Sequence, residues 1–550
     1  MKRILKNSAN IICLGTGESN NLERLGLCGE YKLNQEGKFI GLIEEITKKG
    51  NLERAYIEIK SKPGNMTPGG ERETLEGISK GWMKRTRTQI NKGTYTYGLK
   101  RRIEIPKKGG GMRPLTMPAP RDKIVETVIA KILESILEPI FLETSHGFRP
   151  NRGTKTAIQR VVQKFKPCTF IIEGDIKACF PSMDHRRLEK FLKEHIADEA
   201  FIKLVMQIQK AVEDGERSEE QKKGIGQGST ISPILSNLYL HRLDQWIEQE
   251  KIRYDYGKEK RKNLEYYRIQ KRRLARIHKL DNLWKNKPNR EKVTAEMRTL
   301  ESEIKKLRQE MRKLPSRDQM DPTYRRLTYV RYADDWLIGI AGPHKETKVI
   351  KERVAKFLKE NLGLNLSKEK TKITNIKKKT VKFLGYLIRS PNPRGNRVTQ
   401  GRRQYPEMRT YMPSRDVMER LVEKKYAKWR KNQKTLRPTG LGWLTNLSHN
   451  DIVKHYNSVM KGLSGYYDFV DNRNAMSGVY FILNHSLALT LAQKYRLTSR
   501  RKAYQKFGKD LKCPTTGIKL SNLYQGQEDS ETRETKSMRK PSRSQDHHIE

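Results

Sequence analysis

The stretch Tyr329-Val330-Arg331-Tyr332-Ala333-Asp334-Asp335-Trp336-Leu337-Ile338-Gly339-Ile340 reads as two apolar strands joined by a tight acidic turn. Two adjacent carboxylates between apolar strands are electrostatically expensive. Each raises the other's pKa unless a cation lies between them. Magnesium suits the role, because it takes hard oxygen ligands and leaves positions open for phosphate. Alone, the four letters Tyr332-Ala333-Asp334-Asp335 are a weak signal, and an ordinary solvated turn fits them too.

Working outward, a second buried strand is expected at residues 169–172, running into Glu173-Gly174-Asp175, with Phe180 five residues on. Asp175 therefore also ends a strand. Three carboxylates at neighbouring strand ends, Asp175, Asp334 and Asp335, have the composition of a site holding two Mg²⁺ ions for phosphoryl transfer. Glu173 is the competing carboxylate, on the same face but deeper in the strand. Upstream, residues 101–106 alternate polar and apolar, a glycine turn follows at Gly109, Gly110 and Gly111, and a short strand is expected at 115–118. Lys107 and Arg113 flank that turn, a point charge and a fork suited to phosphate, or else generic basic surface.

Composition points the same way. The chain has 550 residues, with 114 Lys or Arg against 63 Asp or Glu, a formal net charge of +51. Self-repulsion on this scale calls for a polyanionic partner. Nucleic acid is the first choice and an anionic membrane the second. No run of about 18 uncharged apolar residues is read, so an integral membrane protein is not expected. The five cysteines, Cys13, Cys28, Cys168, Cys179 and Cys513, form no C-x-x-C pair. That spacing excludes a zinc ribbon and a disulfide scaffold and fits a reducing compartment. Length alone suggests three or four domains. The basic start at residues 1–10 is followed by too short an apolar run for a secretory signal, and Glu18 argues against a long transit peptide.

The expected organisation runs as follows. Residues 1–60 form a loosely packed N-terminal extension, patterned only at 39–43. Residues 123–141 form an amphipathic helix on Ile124, Val128, Ile132, Ile136 and Ile140. Further helices start at Pro181 and span about 232–247. Within 251–320, the residues Val293, Met297, Leu300, Ile304, Leu307, Met311 and Leu314 make a heptad seam. Leu274, Ile277, Leu280 and Trp284 supply a partner stripe, with Pro288 as the breaker between them. This predicts an antiparallel helical hairpin inserted into a domain. Residues 401–512 read as helical and basic, and 513–550 as a polar tail lacking packed structure.

Taken in order, SHGFRPNRGT (145–154), EGDIKACF (173–180), GIGQGSTISPILSN (224–237), YVRYADDW (329–336), LGLNLSKEKTKI (362–373) and KFLGYLI (382–388) resemble the palm of reverse transcriptases. NMTPGG and ETLEGIS upstream, and GLGWL, DIVKHYNSVMKGLSGYY and SLALTLAQKY downstream, are similar to group II intron-encoded reverse transcriptase/maturases. The resemblance covers about residues 60–512. It implies an α+β right-hand polymerase, with fingers and palm over 61–400 followed by an α-helical thumb, maturase domain X, over 401–512. It implies an RNA-directed DNA polymerase working on an RNA template, a DNA primer and dNTPs with two Mg²⁺ ions, and binding its host group II intron RNA for splicing and mobility. Residue by residue, Asp175, Asp334 and Asp335 match the metal-binding triad. Phe180 matches the aromatic that disfavours ribonucleotides. Lys107, Arg113, Gln227 and Lys370 match positions around the nucleotide, although the family commonly has Pro where Gly226 stands. Phe383-Leu384-Gly385-Tyr386 resembles the primer-grip turn. In the thumb, Lys461, Tyr466, Tyr467, Arg500 and Arg501 combine aromatics and cations suited to RNA.

With only Cys513 near the end, no HNH endonuclease is expected. An RNA-dependent RNA polymerase is disfavoured by Phe180 and the Tyr332–Asp335 sequence. A maturase that binds intron RNA without polymerising is the alternative. Organellar members, mitochondrial above all, are the most similar, with chloroplast or bacterial cytoplasm as alternatives. Neither a membrane partner nor an oligomeric state is read from the sequence.

Overall fold

A computed structural model of the chain describes residues 31–106, 111–210, 223–285, 295–314, 316–318, 321–390, 398–399, 402–403, 408–430 and 435–521. The chain divides into two compact units rather than three or four. Unit 1 takes residues 1–379 and 391–407, and unit 2 takes 380–390 and 408–550. Length overstates the number because the elements expected of fingers and palm share one core.

Unit 1 opens with a small ribbon, β1 (Lys32–Leu33) and β2 (Phe39–Ile40), then α1 (Leu42–Thr47), α2 (Asn51–Lys60) and α3 (Lys80–Asn91). The hairpin β3 (Arg101–Pro106) and β4 (Met112–Met117) leads into α4 (Pro120–Leu137). Next come α5 (Thr154–Lys164), β5 (Phe170–Gly174), α6 (Cys179–Ser182), α7 (His185–Lys193), α8 (Glu199–Lys210) and α9 (Ser232–Tyr254). After α10 (Leu264–Lys285) and α11 (Ala295–Lys313) follow β6 (Arg326–Tyr332), β7 (Asp335–Ala341), α12 (His344–Leu362) and β8 (Lys372–Asn375).

The expected loose packing of 1–60 fails where the structure describes it. Leu42, Ile46 and Leu52 are fully buried in the same core as Ile124, Ile129 and Leu133 of α4. The Asp198 carboxylate accepts from the Leu42 and Ile43 amides at 2.8 and 3.1 Å, fixing the start of α1. The apolar pairs Leu42/Ile46 and Leu52/Ala55/Ile59 recur at helical spacing, but α1 is too short for that pattern to stand out. Helix α4 is buried on most sides, not on one stripe.

The central sheet is antiparallel, in the order β6-β7-β5-β8. Its middle strand β7 is buried along nearly its whole length, which is why it reads as a continuous apolar run. At Gly174 a side chain has no room: an added Cβ would sit 2.1 Å from the Trp336 ring. The Trp336 indole, itself 1% exposed, fills that space across the β5–β7 pair.

Helices α10 and α11 form the expected antiparallel hairpin. Arg276–Glu303 and Lys279–Glu296 ion pairs link them in opposite directions. Met297, Leu300 and Met311 are buried along the seam, whereas α10 has no buried residue among those described. The hairpin rises from a narrow foot, where the Asn263 amide donates to the Ser316 carbonyl at 3.1 Å. Val293 and Pro288 lie outside the described residues.

Unit 2 begins before the predicted boundary at 401. It includes β9 (Val381–Phe383) and β10 (Tyr386–Arg389). A ribbon of β11 (Val398–Thr399) and β12 (Arg402–Arg403) belongs to unit 1. The chain then returns to unit 2 as β13 (Arg409–Tyr411), which pairs with β10 through Leu387↔Tyr411 and Arg389↔Arg409. The remaining elements are α13 (Ser414–Glu423), β14 (Ala427–Trp429), β15 (Leu436–Pro438), α14 (His449–Tyr466), α15 (Ala475–Lys494) and α16 (Arg500–Phe507). By length and composition α15 is apolar enough to cross a membrane, which the sequence reading missed. Val479, Leu483, Leu487 and Leu491 are fully buried in unit 2, as in a core helix. The first part of the predicted tail is packed rather than loose. Cys513 and Leu520 are buried, and the Ser521 amide donates to Asn457 Oδ1 at 2.8 Å. Residues 522–550 lie outside the described part.

Candidate active site

The last pair of the β5–β7 ladder is Gly174↔Trp336, and one step beyond it stand Asp175 and Asp335. The β6–β7 hairpin closes at Tyr332↔Asp335, so Ala333 and Asp334 are the whole turn. The sheet thus brings all three predicted carboxylates to one edge. Burial raises the Asp334 pKa, and the Asp175 charge raises it further. Asp335 is pushed up to about 6 by partial desolvation, then by the charges of Asp334 and Asp175. Such mutual repulsion suits a divalent cation. The set is not a closed cage: among the described residues, no group of three or more His, Cys, Asp or Glu side chains is arranged to hold a metal. Asp175 instead pairs with Lys370, whose Nζ lies 3.2 Å from Oδ2. Glu173 turns away from the edge, bonded by the Thr374 hydroxyl.

Around this edge, Arg113 is exposed on β4, and its charge acts on Asp334 against the rise. Phe180 is half-buried on α6 and packs against the unit 1 core. Gln227 is held by its backbone, its carbonyl accepting from the Thr116 amide of β4 at 2.6 Å. A Cβ at Gly226 would meet the Thr116 side chain at an ordinary 3.5 Å, so close packing does not demand glycine there. Lys107 falls outside the described residues.

In unit 2, Lys461, Arg500 and Arg501 are exposed. Expected RNA stacking on the two tyrosines is not what the structure supports. Tyr467 is only 2% exposed. The Tyr466 hydroxyl donates to the Leu384 carbonyl at 2.7 Å, and the Tyr386 hydroxyl donates to the Tyr466 carbonyl. Tyr386 and Tyr466 stack with ring centroids 5.6 Å apart. The pair clamps the turn at 383–386, where Leu384 and Gly385 both take positive φ. Tyrosines are half-apolar, and a turn with free carbonyls competes successfully for their hydroxyls.

Sequence reasoning missed the supports beneath the site. Arg331 is fully buried in β6. Its Nε and Nη2 donate to both oxygens of Asp244, also fully buried, at 2.8 and 2.7 Å. Burial opposes the guanidinium charge, and the Asp244 carboxylate more than offsets that, so Arg331 stays protonated. Removing one partner from such a pair costs about 3–5 kcal/mol. Nη1 donates to Asn237 Oδ1 at 3.0 Å and to the Ala333 carbonyl at 3.1 Å. Asn237 in turn donates to the Gly147 carbonyl at 2.8 Å. A Cβ at Gly147 would lie 2.4 Å from the Ala333 amide nitrogen. Glu126, buried in α4, accepts from Ser229 Oγ at 2.8 Å and the Thr230 amide at 2.9 Å, holding the loop that carries Gln227. The available signal was polar or charged residues among apolar neighbours: Arg331 in β6, and Asn237 and Asp244 in α9.

An antiparallel sheet with three acidic strand ends, basic side chains near it and a helical second unit matches the arrangement expected of the reverse transcriptase class. Residues 105–267 and 297–388 match the reverse transcriptase (RNA-dependent DNA polymerase) family, with the break falling in the α10–α11 hairpin. Residues 406–546 match the type II intron maturase family. The group II intron-encoded protein LtrA of Lactococcus lactis is 31% identical over 453 residues, 81% of this chain and 73% of LtrA. The COX1/OXI3 intron 1 protein of Saccharomyces cerevisiae is 34% identical over 492 residues, 87% of this chain and 56% of that protein. The mitochondrial protein ymf11 of Marchantia polymorpha is 27% identical, covering 72% of this chain and 56% of its own length. The chain belongs to the group II intron-encoded reverse transcriptase/maturase family and has its α+β reverse transcriptase fold. It spans about half the length of the yeast intron proteins it matches.

Proposed function

We propose that this protein copies RNA into DNA and binds its host group II intron RNA to promote splicing and mobility. The observation that carries the polymerase reading is the meeting of Asp175, Asp334 and Asp335 at one sheet edge, with the pKa of Asp334 and Asp335 raised by burial and then by the neighbouring carboxylates. A protein that only bound RNA would gain nothing from such mutually repelling groups. Asp175, Asp334 and Asp335 would hold two Mg²⁺ ions, which supply an activated primer 3′-hydroxyl and charge neutralisation at the triphosphate. Arg113 supplies positive charge for the phosphates, a role the family resemblance also gives to Lys107. Phe180 bounds the sugar and selects against a 2′-hydroxyl. Gln227 sits on a loop tied to β4 and lines the nucleotide pocket. Lys370, now on Asp175, is positioned to offer a proton towards the leaving pyrophosphate.

Intron binding rests on the family relationship, the +51 charge and the exposed Lys461, Arg500 and Arg501. The mitochondrion is the compartment we favour, on the strength of relatives such as the Marchantia protein. Primer extension on an RNA template with dNTPs and Mg²⁺ is the test. Wild type should make cDNA, and Asp334→Ala should lose at least about a thousandfold in rate while keeping intron-RNA affinity. A folded wild type that binds the intron but extends no primer would leave a splicing-only maturase.

A further inference from the structure

The acidic turn is built from unfavourable pieces. Ala333 adopts φ +55°, in the left-handed region where residues with a Cβ are uncommon. Two-residue hairpin turns that need positive φ usually take Gly, Asn or Asp there. The next two residues repel each other. The β6–β7 register sets the length of the turn, but neither the residue type at 333 nor the adjacent charges favour its shape, so surrounding contacts help to hold it.

That surrounding is a buried, charge-assisted network. Arg331 reaches the Ala333 carbonyl from within β6, and its other nitrogens are fixed on Asp244. Asn237 bridges Arg331 to the Gly147 carbonyl. Gly147 packs against the Ala333 nitrogen so closely that no side chain would fit between them. The segment before Gly147 is laced to β6 as well, through the His146 amide to the Arg331 carbonyl at 2.9 Å and the Arg331 amide to the Thr144 carbonyl at 2.8 Å. The turn is therefore bonded at its Ala333 carbonyl and packed at its Ala333 nitrogen by parts of one network that meets at the Arg331 guanidinium.

We propose that Arg331 and Asn237 are positioning residues for the chemical step: they clamp the 333–334 turn so that Asp334 and Asp335 face Asp175. This rests on the polymerase reading above. The clamp touches neither nucleotide nor metal. Its loss should therefore lower kcat and leave KM for dNTP alone, because misplacing reacting groups by about 1 Å costs on the order of a hundredfold in rate.

The test pairs Arg331→Lys with Asn237→Ala, a variant that leaves the Arg331–Asp244 charge pair whole and serves if Arg331→Lys does not fold. Arg325→Lys is the control. It weakens a bidentate pair with Glu346 beyond the far end of β6, at 2.7 and 3.0 Å. Steady-state primer extension and amide hydrogen exchange at residues 333–335 are measured on all four proteins. The clamp variants should lose about a hundredfold in kcat, hold dNTP KM within about threefold, and exchange faster at the turn. The control should keep wild-type kcat and turn protection. Unchanged kcat and unchanged exchange in folded Asn237→Ala would overturn the proposal, as would an equal kcat loss in the control. An inactive wild type whose turn protection still falls in the clamp variants would defeat the polymerase reading and uphold the clamp.

Discussion

Asp335 carries the clearest signature of the site at the scale of one residue. Its folded-state pKa of about 6 stands above the ordinary value near 4. The folded protein thus holds that proton more tightly than the unfolded chain does. Stability from this group is present at low pH and is lost as pH rises through the window from about 4 to 6. Asp335→Asn should therefore melt higher than wild type at pH 7 without divalent metal, with the difference shrinking as pH approaches 4. Mg²⁺ should raise the melting temperature of wild type more than that of the variant. A lower melting temperature for the variant at pH 7 in chelator would contradict the electrostatic account. That the three aspartates end neighbouring strands was legible in the sequence, because the apolar runs they close are easily seen. Arg331, Asn237 and Asp244 were not. A buried ion pair between β6 and α9 joins residues 87 positions apart, and periodicity within either element carries no trace of it.

Among the elements, the α10–α11 hairpin was read correctly from its heptad seam, because a 3.5-residue repeat over several turns is a strong local pattern. The short elements at the N-terminus were misread for the opposite reason. A helix of six residues such as α1 contains too few turns to display a face, and only the tertiary core reveals its burial. The turn at 383–386 was also legible as a turn, but the tyrosines assigned to RNA were not legible as its clamp. The hairpin's narrow foot gives a prediction. Its ends are already joined by the Asn263–Ser316 hydrogen bond, so replacing 264–315 with two or three glycines should close without strain. Thermal melting of this variant should stay within about 3 °C of wild type, and primer extension should persist. Collapse of the fold would mean that the hairpin stabilises more than itself.

For the whole molecule, the dominant quantity is the +51 charge. Affinity for single-stranded RNA should fall by about three hundredfold or more between 50 and 200 mM salt, as expected when six to ten phosphates are neutralised. A flat salt dependence in a filter-binding titration would remove the electrostatic basis of the RNA reading. Composition predicted the polyanion but not the division of the chain, since contacts and not charge decide which segments share a core. That division has a practical face. The path enters unit 2 at residues 380–390, leaves for 391–407, and returns at 408. A gene dissected at residue 400 would strand β10 on one fragment and its partner β13 on the other. During synthesis on the ribosome, β9 and β10 must likewise wait for at least twenty further residues before their three-stranded sheet can close.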